Sequence, residues 1–236
     1  MIKRRVQSLL QRLLGLRAYL FLFGLYAMAK FRWAEPAFFR FLGLIPAEGV
    51  LLDIGANLGV TTTLLSRRFP KAKIIAFEPV PWNAANIERM ANLFRLRNVS
   101  IQKCAIGSQD GFVDFTVPIV SGARMHALGH LSSASEEGEQ LRVRCCKLDD
   151  LGLSGITAVK LDVENSEHAA LIGGLATLRR WQPVIYCELW NNENRQRSFE
   201  LLGSLGYVPY TTCSTGLVPF DDARGQTENF IFLPRR

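Results

Sequence analysis

The sequence predicts an α/β fold of three layers, with helices on both faces of a mainly parallel sheet. Two observations predict it. From residue 50 onward, short apolar runs of strand length alternate with stretches whose apolar residues recur at helical spacing. The chain is also 236 residues long, 48% hydrophobic and 21% charged. That suffices for a full core and excludes a disordered or collagen-like chain.

Residues 1–47 read as a basic arm ahead of a body at 48–236. Val6, Leu9, Leu10, Leu13 and Leu14 recur at helical spacing over 3–16, with Arg4, Arg5, Gln11 and Arg12 elsewhere on the wheel. The YLFLFGLY run that follows is apolar all round. The charge-free run Ala18 to Ala29 is 12 residues long, and a spanning helix needs about 20, which argues against a plain transmembrane protein. Three readings of the arm stay open: a helix packed on the body or a partner, an amphipathic segment in a membrane interface, and a signal peptide ending in Ala27-Met28-Ala29.

The formal charge of +7 sits in this arm. Lys3, Arg4, Arg5, Arg12, Arg17, Lys30, Arg32 and Arg40 face a single acid, Glu35, while the other 20 Lys/Arg and 20 Asp/Glu cancel. A neutral body argues against a broad nucleic-acid face. The arm suits an anionic membrane surface, or nucleic acid. The five cysteines form no CxxC pair and read as buried free thiols in a reducing compartment. The expected location is therefore cytoplasmic, with peripheral contact at the inner membrane face as a variant.

In the body, VLLDIG (50–55) reads as a buried strand, 57–69 as a helix, KIIAFEP (73–79) as a strand and 81–96 as a helix with Pro81 in its first turn. VSIQKCAIG (99–107) is a third strand, and 111–118 and 140–148 look like additional ones. The stretch at about 118–140 reads as an insertion over the carboxyl edge of the sheet, long enough to suggest a functional loop. AVKLDVEN (158–165) is a fourth main strand, 166–181 a helix, PVIYCELW (183–190) a fifth strand and 198–205 a helix. The segments at about 206–213 and 228–234 close the chain as an antiparallel pair.

Ligands in open α/β sheets bind beyond the carboxyl ends of the strands. The first strand ends in Asp53-Ile-Gly55-Ala-Asn57-Leu-Gly59. Gly55 permits a tight turn and Gly59 a close helix, although such a turn alone also suits an ordinary strand-to-helix connection. The second strand ends in Glu78-Pro79, where a carboxylate is placed to accept the hydroxyls of an adenosine ribose. Asp53 in the loop disfavours a pyrophosphate and suits a ligand with an ammonium and a sulfonium, S-adenosylmethionine. The fourth strand ends in Lys160-Leu-Asp162-Val-Glu164-Asn165, so Asp162 and Glu164 are expected to share a crevice. Glu167 reads as a first-turn acid facing the helix dipole.

LLDIGANLGVTT, IIAFEPVPWNAANIERM, VSIQKCAIGSQDGFVDF, KLDDL and VKLDVENSEHAALIGG occur in that order. Together they resemble the FkbM family of S-adenosylmethionine-dependent methyltransferases over about residues 50–234. The resemblance implies a class I methyltransferase (Rossmann-like) fold with a seven-stranded sheet in the order 3-2-1-4-5-7-6 and an antiparallel last strand. It implies methyl transfer, usually to an oxygen of a sugar or related metabolite. It places Asp53, Gly55, Asn57 and Gly59 in the cofactor loop, Glu78 at the ribose, and Cys104 and Ala105 near the adenine. Asp162 and Glu164 match the acidic strand-end motif. The family usually has glycine after that glutamate, whereas this chain has Asn165, a residue that tolerates left-handed backbone.

A hydroxyl acceptor calls for a general base. Asp162 or Glu164 is the first candidate, and His126 and His130, spaced i, i+4 in the insertion, are the second. His168 reads as structural. A divalent cation on Asp162, Glu164 and another acid is an alternative route that the sequence does not require. Trp82 and Trp190 suit either ring stacking or packing. The expected acceptor is a small molecule or glycan, with a lipid-linked one as a variant. An RNA or protein methyltransferase and a non-catalytic binding protein are the competing readings.

Overall fold

The computed structural model describes residues 2–120, 122–125, 129–131, 138–213, 216–221 and 227–235. Three helices open the chain: α1 (Ile2–Leu14), α2 (Leu16–Ala34) and α3 (Pro36–Leu42). The body then runs β1 (Val50–Ile54), α4 (Val60–Arg68), β2 (Lys73–Phe77), α5 (Pro81–Leu93), β3 (Val99–Gln102), β4 (Ala105–Ile106) and β5 (Gly111–Val120). Short strands β6 (Ala123–Arg124) and β7 (His130–Leu131) precede β8 (Gly138–Cys146), a 3-10 turn at Leu148–Leu151, and β9 (Ile156–Leu161). The chain closes with α6 (Glu167–Gly173), α7 (Leu175–Trp181), β10 (Val184–Glu188), α8 (Glu193–Ser204), β11 (Tyr207–Cys213), β12 (Gly216–Pro219) and β13 (Asn229–Pro234).

The main sheet has the order β12-β11-β13-β10-β9-β1-β2-β3. Strands β3, β2, β1, β9 and β10 are mutually parallel, and β13 is antiparallel to both β10 and β11. The seven strands expected from sequence thus take the order 3-2-1-4-5-7-6. The sheet differs by an eighth strand, β12, which pairs antiparallel with β11 and covers an edge that would otherwise be open. The expected third strand is also shorter. It breaks after Gln102, and β4 joins a second sheet, β4-β8-β5-β6, with β7 paired to β5. The β5–β8 hairpin projects well into the expected insertion, with Pro118 opposite Gly138. The helix expected over 166–181 is two helices, parted at Gly174.

The core follows the two-residue period of each strand. Leu52, Ile54, Ile75, Phe77, Ile185 and Cys187 face one side with α6 and α8 residues, while Leu51, Ile74, Ala158 and Tyr186 face the other. Phe38 and Phe41 of α3 lie on that second side, fully buried and within 5.5 Å of the Tyr186 ring. Each contributes on the order of 1.5–3 kcal/mol by burial. The 1–47 segment therefore packs on the body: α3 belongs to the core, and Leu20 of α2 packs on Leu58 behind the first loop. Among the described residues, no helix is long and apolar enough to cross a membrane. Cys104, Cys145, Cys146 and Cys187 are buried free thiols.

Candidate functional site

A cavity open to solvent lies beyond the carboxyl ends of β1, β2 and β9. Gly55, Asn57, Glu78, Pro79, Cys104, Ala105, Asp162 and Glu164 all line it, so eight of the residues read from sequence meet in one place. Phe77, Ile106 and Phe115 add apolar wall, the surface an adenine ring requires.

The loop after β1 is shaped by close backbone approach. Gly55 has φ +78°, and a Cβ there would lie 1.8 Å from the Asp162 carbonyl oxygen. Only glycine fits. Glu78 is buried beneath the loop. Its Oε2 accepts from the Asn57 N–H at 2.7 Å, and its Oε1 accepts from the Val80 N–H at 2.9 Å and from Asn83 Nδ2 at 3.4 Å. Burial pushes its carboxyl up to about 7, against the pull of those donors. Oε2, with a single donor, keeps a second lone pair for a ribose hydroxyl.

Two of the expected cofactor residues do not line the cavity. Asp53 is wholly buried below the loop. Its Oδ2 accepts from the Thr61 and Thr62 hydroxyls at 2.8 and 2.5 Å, and its Oδ1 lies 3.6 Å from Lys160 Nζ. The charge expected to face a sulfonium is thus spent on a buried lysine and the first turn of α4. Gly59 opens α4 and packs against Ile87, where a Cβ would sit 3.1 Å from Cγ1. Both position the loop without touching the cavity.

Lys160 is the residue that sequence reasoning passed over. It is buried, donates to the Gly55 carbonyl at 2.7 Å, and pairs with Asp162 at 3.2 Å as well as with Asp53. Burial lowers its pKa, but Asp162 and Asp53 more than offset this and hold it charged. It ties the ends of β1 and β9 together. The signal was present: a lysine inside an otherwise apolar strand must be paired.

The acidic edge is built by a turn rather than by strand alternation. β9 ends at Leu161, and Glu164 and Asn165 both take left-handed backbone, φ +51° and +70°. Asn165 thus adopts the conformation expected where the family has glycine, and its side-chain oxygen accepts from Asn192 Nδ2 at 2.7 Å. Glu167 stands in the first turn of α6, as expected, and does more than face the helix dipole. It is buried, and its Oε1 accepts from the Val163 and Asn165 N–H groups at 3.1 Å each, which fixes the turn. Burial, then Asp162, Glu188 and Glu167, push Glu164 up to about 8. Burial and Asp162 likewise push Glu188, at the end of β10, to about 7.

His126 lies outside the described residues. His130 pairs by backbone with Thr116 in β7, and its side chain is not among the described atoms. Among the described residues no group of three or more His, Cys, Asp or Glu side chains has the geometry to hold a metal ion. Lys160 occupies the place between Asp53 and Asp162 that a cation would neutralise. Trp82 packs between apolar clusters with Arg124 over its ring, and Trp190 is half-exposed and donates to Glu188. His168 lies in α6, where its backbone N–H donates to Asn194.

Comparison with known proteins agrees with this geometry. Residues 53–209 match the methyltransferase FkbM domain. The chain is 30% identical over 178 residues to 2-O-methyltransferase NoeI of Sinorhizobium fredii, covering 69% of this chain and 72% of that protein. It is 25% identical over 150 residues to Methyltransferase 1 of Beauveria bassiana, covering 54% of this chain and 59% of that one. The chain therefore spans less than two thirds of the length of that second relative. Among solved structures, methyltransferase FkbM from Methylobacillus flagellatus superposes with a TM-score of 0.56 at 14% identity, over 81% of this chain and 45% of that one, a likeness of fold. With its family domain matched across two thirds of its length and its strands in the class I methyltransferase arrangement, this chain belongs to the FkbM methyltransferase family.

Proposed function

We propose that the protein is an S-adenosylmethionine-dependent O-methyltransferase acting on a hydroxyl of a sugar, glycan or other small molecule. The observation that carries the reading is the convergence of Glu78, the Gly55–Asn57 loop and the Asp162–Glu164 turn on one cavity with an apolar wall. The residues fit the cofactor: Glu78 offers acceptors to a ribose, Phe77, Ile106 and Ala105 offer an adenine wall, and Asp162 offers an acceptor to an ammonium. When bound, S-adenosylmethionine supplies an activated methyl group on a sulfonium leaving group.

The chain's own residues then have three tasks. Lys160 holds the loop and Asp162 in fixed relation, the rigidity that positioning an acceptor beside a bound cofactor would require. Glu164, raised towards neutrality, takes the hydroxyl proton of the acceptor; Asp162 is already engaged by Lys160 and suits orientation better. The turn held by Glu167 and Asn194 keeps Glu164 in place. The 2-O-methyltransferase relative supports transfer to oxygen. The neutral body gives no electrostatic footing for nucleic acid as acceptor.

The test is calorimetry with S-adenosylmethionine on the full chain, followed by a radiolabelled methyl assay over a panel of glycans and small-molecule alcohols. Micromolar binding and transfer to oxygen are expected. Absence of binding at millimolar cofactor refutes the reading and leaves a non-catalytic protein.

A further inference from the structure

We propose that α1 and α2 form a docking face for an anionic lipid surface. The observation is an inverted amphipathic helix. A surface helix normally buries its apolar stripe. Among the described side chains of α1 the buried ones are Ser8 and Gln11, and the polar face meets the β6 edge: Gln11 exchanges two hydrogen bonds with the Arg124 backbone, at 3.0 and 3.1 Å. The opposite stripe, Val6, Leu9, Leu10, Leu13 and Leu14, faces outward, with Leu9 55% and Leu13 72% exposed.

α2 is apolar on both sides, so it too leaves apolar side chains facing outward. It buries Leu20 and Gly24 on the body and exposes Leu22, Tyr26 and Trp33, which share one face at i, i+4 and i+11. Eight of the thirteen exposed large apolar side chains among the described residues fall in these two helices. Such a concentration marks an interaction site rather than scattered surface residues.

Charge selects the occupant. Residues 1–17 carry Lys3, Arg4, Arg5, Arg12 and Arg17 and no acid, while the body is neutral. A second copy of the chain would bring two such segments together and repel. An anionic headgroup layer attracts them, with apolar side chains entering the acyl boundary and basic ones at the headgroups. Leu14 also lines an open groove with Arg17, Trp82 and Arg89, and the first turn of α5 forms a common wall between that groove and the cofactor cavity through Trp82 and its neighbours Val80 and Asn83. A lipid-linked hydroxyl is the acceptor class this arrangement suits.

Deleting residues 1–47 is a poor test, because Phe38 and Phe41 are core residues. The test is flotation of the full chain with vesicles of phosphatidylcholine, with and without phosphatidylglycerol. Leu9→Gln/Leu13→Gln and Arg12→Gln/Arg17→Gln serve as variants; all four side chains are exposed, so both should keep the wild-type melting temperature. Wild type is expected to float with the anionic vesicles and to release at high salt. The leucine variant should lose at least about tenfold in partition, and the arginine variant about fivefold per charge. Failure of the wild type to float, equal flotation of the folded variants, or a wild-type dimer that the leucine variant splits while neither floats would overturn the proposal.

Discussion

Lys160→Met removes the cation that holds the ends of β1 and β9 together, and its effect can be worked from the structure. The substitution leaves Asp53 wholly buried with only the Thr61 and Thr62 hydroxyls to satisfy it, and frees the Gly55 carbonyl and Asp162. Breaking a buried ion pair by removing one partner costs about 3–5 kcal/mol. For a domain of this size each kcal/mol is worth about 2–4 °C, so the melting temperature should fall by roughly 6–20 °C. Asp53→Asn alone should cost less, because Asn keeps an acceptor for the threonines and Lys160 keeps Asp162 at 3.2 Å. Combining the two removes the orphaned charge, so the double variant should be more stable than the summed single effects by at least about 1 kcal/mol. Thermal and urea unfolding of the four proteins measure this cycle. A Lys160→Met protein melting within about 1 °C of wild type, or strictly additive effects, would refute the assignment of Lys160 as the clamp of the site.

Three further outcomes are expected. Glu78→Gln should weaken S-adenosylmethionine binding by about 10- to 100-fold in calorimetry, the cost of a charge-assisted acceptor. Because its folded-state pKa of about 7 lies above the ordinary value of 4.5, Glu78 stabilises the free protein fully at low pH, and this contribution is lost as pH rises through about 7; the Gln variant should show a flatter melting temperature across that window. Glu164→Gln should lower kcat by about 10²–10⁴ with little change in cofactor affinity, and should abolish a rise in rate with pH through about 8; an unchanged pH–rate profile removes Glu164 as the base. Asn165→Gly should keep stability within about 1 kcal/mol, whereas Asn165→Ala, which must hold φ +70° without the bond from Asn192, should lose about 1–2 kcal/mol in urea unfolding.

The alternation of strands and helices and the convergence of Gly55, Asn57, Glu78 and Asp162 on one crevice were legible in the sequence, while the strand order came only from the family resemblance. The elements and the crevice are written in local chemistry: short apolar runs of strand length, glycine where backbone must pass backbone, and acids at strand ends. What the sequence could not settle were properties set by contacts between distant segments. Asp53 and Glu78 look alike as strand-end acids, but Lys160, 107 residues beyond Asp53, claims one while the Asn57 and Val80 amides claim the other. Glu167 is the first-turn acid of α6 that the sequence shows, but only the fold reveals that it also caps the preceding turn. Periodicity showed that α1 is amphipathic but not which face meets the body, because Gln11 finds its partner at Arg124. A sequence determines which side chains are apolar or charged along each element; only packing in three dimensions decides which of them are neutralised, buried or left facing solvent.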